Sequence, residues 1–171
     1  MNGTANGEWP LSGGIPFDAF AADQADPSKG AAVRRHLGHF LLPGADVSVS
    51  VARKCAAAVL AAAGCRNIGD ALLVTSEPVT NAVVHTRSNE GWVMVGMHDT
   101  GNGLIGIEVL DDGAATVPFP RLPDDGEVCG RGLWLVDELS AKWGVRRTNG
   151  MRSAVWALVD TSEKAAAADR D

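Results

Sequence analysis

Residues 92–113 read WVMVGMHDTGNGLIGIEVLDDG, and this stretch decides the fold class. Trp92 to His98 has the apolar and β-branched make-up of a strand. Asp99-Thr100-Gly101-Asn102-Gly103 is turn chemistry, and Leu104 to Asp111 is the returning strand, so the two form a hairpin. In the second strand, alternation puts Ile105, Ile107, Val109 and Asp111 on one face. Working upstream, Asp46 can cap a helix from Val47 to Ala63. Val47, Val51, Cys55, Ala58, Val59 and Ala62 fall at helical spacing, and Gly64 is the stop. A second helix starts near Asp70 and runs to about Thr86, and Ala32 to Leu42 (AVRRHLGHFLL) is an edge-strand candidate. Downstream, Asp112 to Glu127 and beyond holds three prolines and almost no pattern. A helix from about Arg131 to Ala141 follows, then a hairpin of Val145 to Arg147 and Ala154 to Val159 around Thr148-Asn149-Gly150. The order β, α, α, β, β, loop, α, β, β predicts an α+β two-layer sandwich. Its sheet is expected to be mixed but mostly antiparallel, with the helices on one face.

The chain has 171 residues, of which 46% are hydrophobic and 21% charged, with a net charge of −6. That suits one compact domain, placed at residues 31–160, with tails. Residues 1–30 carry Glu8, Asp18, Asp23 and Asp26 against Lys29 and have no sustained periodicity. They read as a flexible acidic tail, with docking of Trp9, Phe17 and Phe20 as the alternative. Residues 161–171 read as a fraying C-terminal tail. Fifteen basic against 21 acidic side chains argue against direct nucleic-acid or anionic-membrane binding. Cys55, Cys65 and Cys129 form neither a disulfide framework nor a zinc pattern. The longest apolar run, Cys55 to Cys65, has 11 residues where a membrane span needs ~20. The opening MNGTANGEWP has no signal-peptide character, so a cytoplasmic location is expected. Trp92, Trp134, Trp143 and Trp156 read as packing residues, and Arg34-Arg35-His36 and Arg146-Arg147 as solvated strand faces.

Three features carry chemistry. On the second helix, LLVTSEPVTNAVVHT at residues 72–86, Glu77 and Asn81 share one stripe, and apolar residues flank it on both sides. Such a helix should be buried, and a buried carboxylate is costly unless it is paired or liganded. Asp111 ends an otherwise apolar strand face and is followed two residues on by Gly113. A buried acid there can accept from an exocyclic amine, as adenine recognition requires; the plainer alternative is a turn-initiating Asp. Gly130-Arg131-Gly132-Leu133 opens a helix after the long loop. Glycines at a helix N-terminus let backbone N–H groups approach a phosphate, and structureless loops of this length are commonly functional lids.

In this order, the three motifs resemble the N, G1 and G2 boxes of the GHKL ATP-binding superfamily. The text SEPVTNAVVHT, EVLDDG, GRGLWLVDELSAKWGV and SAVWALV is similar to its stand-alone bacterial branch of anti-sigma-factor serine/threonine kinases. The resemblance spans roughly residues 31 to 160 and implies the Bergerat ATP-binding fold. It makes Glu77 the general base and Asn81 the Mg²⁺ ligand. Asp111 and Gly113 become adenine contacts, and Gly130, Arg131, Gly132 and Leu133 the phosphate-wrapping residues. His85 would flank the nucleotide, and Ser153 would be a further adenine contact. The implied cofactors are ATP and Mg²⁺. The implied function is that of an anti-sigma factor that holds a sigma factor and phosphorylates a Ser/Thr of a STAS-type antagonist. The implied assembly is a homodimer through the sheet. The sequence departs from the family pattern at Pro78, beside the proposed base, where a helix-interior proline costs ~3 kcal/mol and kinks the chain. It departs again after Gly113, where Ala114-Ala115 replaces the second glycine of that box, and at Gly150, which lies too early for the last one. These departures favour an alternative: a nucleotide-binding module that switches partners without phosphorylating them.

Overall fold

The computed structural model describes residues 35–101, 103–113, 132–147 and 152–162. Strand β1 (Arg35–Pro43) leads to helices α1 (Val47–Ala62) and α2 (Gly69–His85), then a 3₁₀ turn (Arg87–Glu90). The hairpin β2 (Trp92–Asp99) and β3 (Leu104–Asp111) follows, then α3 (Gly132–Leu139), β4 (Lys142–Arg147) and β5 (Ser153–Asp160). Residues 1–30, Cys129, Gly130, Arg131 and the turn at residues 148–150 lie outside the described residues, as do the loop from residue 114 onward and residues 163–171. Thr161, expected to open the fraying tail, is instead buried, with its N–H donating to the Gly103 carbonyl at 2.8 Å.

The sheet runs β1-β2-β3-β5-β4. Among the described residues every pairing is antiparallel, where a mixed, mostly antiparallel sheet was expected. The reason is topological: strands that run the same way are never neighbours, and β3 and β4, joined across α3, are separated by β5, which returns between them. Alternation holds along β3 and β5. Ile105, Ile107 and Val109 pair with Val159, Ala157 and Val155, and all six are in the buried core. Against them α2 contributes Val74, Val79, Ala82 and Val83, and α3 contributes Leu133 and Val136. Ala52 and Ala56 of α1 and Ala71 of α2 are fully buried, so small side chains line the place where the two helices meet.

Local chemistry sets the boundaries. Gly64 adopts φ +82°, and the Cys65 N–H donates to the Leu60 carbonyl at 3.0 Å, a Schellman ending that confirms the predicted stop. Asp46 makes no side-chain cap, contrary to expectation; the Ser48 hydroxyl donates to the Pro43 carbonyl at 2.6 Å instead. Pro78 does not break α2, which is assigned continuously through it. The Thr75, Ser76 and Thr80 hydroxyls on the neighbouring turns donate to the carbonyls four residues before them.

Two surface expectations are overturned. Trp92 is 42% exposed rather than packed. Arg146 is not on a solvated face: it pairs across β5 with Glu108, which is 3% exposed. Glu108 points away from the helical layer because its neighbours Ile107 and Val109 point into it. Burial pushes its carboxyl up, and the charge and hydrogen bond of Arg146 pull it back. On the same face, Gly144 is held small by Trp156, whose ring would stand 2.9 Å from an added Cβ.

Candidate functional site

Two groups of the expected residues come together. In the first, Glu77 on α2 meets Gly132, the first residue of α3: a Cβ added there would stand 2.5 Å from the Glu77 Oε2. A side chain at 132 would thus displace the carboxylate from the start of the helix, where backbone N–H groups are unsatisfied by the helix itself. Asn81 follows one turn later on α2. Both side chains are half-buried, and neither takes a hydrogen bond from the described residues. The Glu77 carboxylate is therefore oriented toward α3, and Asn81 lies one turn along the same side of α2.

In the second group, Asp111 ends β3 opposite Ser153, the first residue of β5. Asp111 is 5% exposed and accepts from the Gly113 N–H at 2.6 Å and from the Ser153 backbone. Burial is the largest influence on its carboxyl and pushes it up to about 6; the two backbone donors oppose this, and the Asp112 charge adds to it. The Gly113 N–H closes an Asx turn on Asp111, and Gly113 itself adopts φ +75°, a left-handed conformation suited to glycine. A carboxylate fixed on one side by two backbone donors keeps acceptor capacity for an amine. α2 packs against β3, β5 and α3, so the helix carrying Glu77 and Asn81 joins the two groups.

The remaining residues divide. His85 is exposed at the last position of α2. The Leu133 side chain is in the core at 5% exposure, which leaves its backbone as the part able to face a ligand. Ser153 is 4% exposed and supports Asp111 through its backbone. Sequence reasoning missed Ser88, Gly91, Asp112 and Arg152, which hold the Asp111 turn from behind. An isolated serine in a polar connection gives no periodic signal, so nothing short of the tertiary contacts marks it.

Residues 42–157 match the family described as the histidine kinase-like ATPase domain. The chain belongs to that family. No curated protein sequence matches it. Among solved structures it is similar to the RsbU and RsbW domains of Rv1364c from Mycobacterium tuberculosis, with TM-score 0.56 and 18% identity. That match covers 75% of this chain and 34% of the other, so the chain spans about a third of the relative's length. The likeness is one of fold.

For a histidine kinase-like ATPase domain the nucleotide is ATP. Among the described residues, no cluster of three or more His, Cys, Asp or Glu side chains could hold a metal ion. A cation at Asn81 would therefore draw most of its oxygens from phosphates and water, which is how Mg²⁺ is usually bound. Asn81, a half-buried residue, would offer one amide oxygen to such an ion. No helix among the described residues is long and apolar enough to cross a membrane.

Proposed function

We propose that this domain binds Mg-ATP between α2, the end of β3 and the start of α3, and acts as a serine/threonine protein kinase. The observation that carries this reading is the Glu77 carboxylate set against Gly132, where α3 begins. It puts a base beside the backbone N–H groups suited to the terminal phosphates. The substrate hydroxyl loses its proton to Glu77 as its oxygen bonds to the γ-phosphorus. The bond from that phosphorus to the β–γ bridging oxygen breaks, and ADP leaves. Asp111 holds the adenine amino group; Asn81 would hold Mg²⁺, which neutralises phosphate charge. Gly130 and Arg131 would bind the phosphates, and His85 would flank the nucleotide.

The protein substrate is a STAS-type antagonist, and the second partner is a sigma factor that stays held once the antagonist is phosphorylated. The flanking text around Glu77 and Gly132 supports this assignment, as does the fold likeness to a chain with an RsbW domain. α2 runs on through Pro78, so Glu77 stays within the helix, and this supports the kinase over the partner-switching module. The test is transfer of labelled γ-phosphate to candidate antagonists by wild type and Glu77→Gln. The kinase reading expects transfer by wild type, at least a hundredfold loss in the variant, and ATP affinity within about threefold. Saturable ATP binding by wild type with no transfer to any antagonist would favour the switching module.

A further inference from the structure

The turn that carries Asp111 is stapled from outside the nucleotide pocket. The Ser88 hydroxyl, fully buried, donates to the Trp92 carbonyl at 2.9 Å and accepts from the Asp112 N–H at 2.8 Å. The Arg87 N–H donates to the Gly113 carbonyl at 3.0 Å. The Asp112 carboxylate in turn accepts from the Trp92 N–H and from Arg152 Nε, each at 3.3 Å. Gly91 lies against that carboxylate, and an added Cβ there would collide with it. Ser88 is itself fixed, its N–H donating to Thr86 Oγ1 and its carbonyl accepting from the Gly91 N–H, both at 3.0 Å.

We infer that Ser88 is a positioning residue for adenine recognition, acting through Asp112 on the Asp111–Gly113 turn. The inference rests on Asp111 being the acceptor of the adenine amino group. The Asp112 N–H belongs to the same planar peptide as the Asp111 carbonyl, so holding one fixes the other. The Gly113 carbonyl is held by Arg87, and between the two anchors the Gly113 N–H reaches Asp111 Oδ1 at 2.6 Å. The direction in which Asp111 presents its remaining acceptor capacity is therefore set by the connection between α2 and β2. A single hydroxyl can donate to one backbone group and accept from another at once, and Ser88 does both. Alanine there leaves two backbone groups without this partner, and the turn loses its anchor to the preceding segment.

The experiment compares ADP with inosine diphosphate, which carries a carbonyl where adenine has the amino group. Wild type is expected to prefer ADP. Ser88→Ala weakens ADP binding about tenfold and leaves inosine diphosphate within about twofold; Asp112→Asn shifts the same ratio in the same direction. On an Asp111→Asn background, Ser88→Ala changes neither affinity further, because the group it positions is gone. Equal weakening of both nucleotides, or an unchanged ADP affinity, would overturn the inference while leaving the nucleotide site intact. A wild type that does not distinguish the two nucleotides would overturn the reading of Asp111 itself, and this inference with it. Should Ser88→Ala fail to fold, Ser88→Cys carries the same comparison, since a thiol nearly keeps the volume and is only a weak donor and acceptor.

Discussion

Lowering the pH should weaken adenine-nucleotide binding through one buried carboxyl. Burial raises the Asp111 carboxyl from its ordinary 3.8 to about 6. The adenine amino group donates, so it binds the ionised form. At pH 7.5 nearly all of the free protein is in that form, and at pH 5 about a tenth is. Affinity should therefore fall about tenfold between the two, roughly 1.4 kcal/mol. Mg²⁺ in excess keeps the terminal phosphate of ATP ionised across this range, so the slope belongs to the protein. The assay is titration calorimetry at several pH values, repeated in buffers of different ionisation enthalpy; near pH 6, binding should release about half a proton. The stability sign is opposite. The folded, nucleotide-free state binds this proton more tightly than the unfolded chain does. Folding stability should thus rise as pH falls from about 7 toward about 4, by on the order of 3 kcal/mol from this group alone. An affinity that is flat from pH 7.5 to 5, or a slope that persists in Asp111→Asn, would refute the reasoning.

Two further outcomes follow from close contacts. Gly132→Ala puts a methyl group 2.5 Å from the Glu77 Oε2 as it now stands, so the carboxylate must move; phosphotransfer should fall at least tenfold while ADP affinity changes by less than about threefold, as read by single-turnover kinetics and calorimetry. Glu108→Ala leaves Arg146 partly buried without its carboxylate and should destabilise the fold by on the order of 3 kcal/mol in urea unfolding. The double variant Glu108→Leu/Arg146→Leu should recover most of that loss, because no lone charge is left in the sheet face.

The elements were legible wherever a period was strong. Leu104 to Asp111 alternates without interruption, and the strand has those bounds. Gly64 marked the end of α1 because a left-handed residue is needed there. The mixed sheet was misjudged because sequence order gives strand directions but not the neighbour that β5 becomes by inserting between β3 and β4. Pro78 lies inside α2 without ending it, because propensity describes an isolated helix whereas α2 is held by packing against α1, α3 and the sheet. Of the site, Glu77 and Asp111 were visible as carboxylates on apolar faces, where a charge demands a reason. Glu108 also faces a buried surface, yet its partner lies 38 residues away, and Arg146-Arg147 looks like any solvated pair. Ser88 was invisible, since its role exists only when the chain returns to it at Asp112.

The central claim is that an adenine nucleotide lies with its base on Asp111 and its phosphates toward Glu77 and Gly132. Titration of Mg-ATP into wild type, Asp111→Asn and Asn81→Ala tests it most directly. The account predicts saturable binding by wild type, at least tenfold weaker binding by Asp111→Asn, and binding by Asn81→Ala that no longer depends on Mg²⁺. No binding by wild type, or equal binding by wild type and Asp111→Asn, would contradict it.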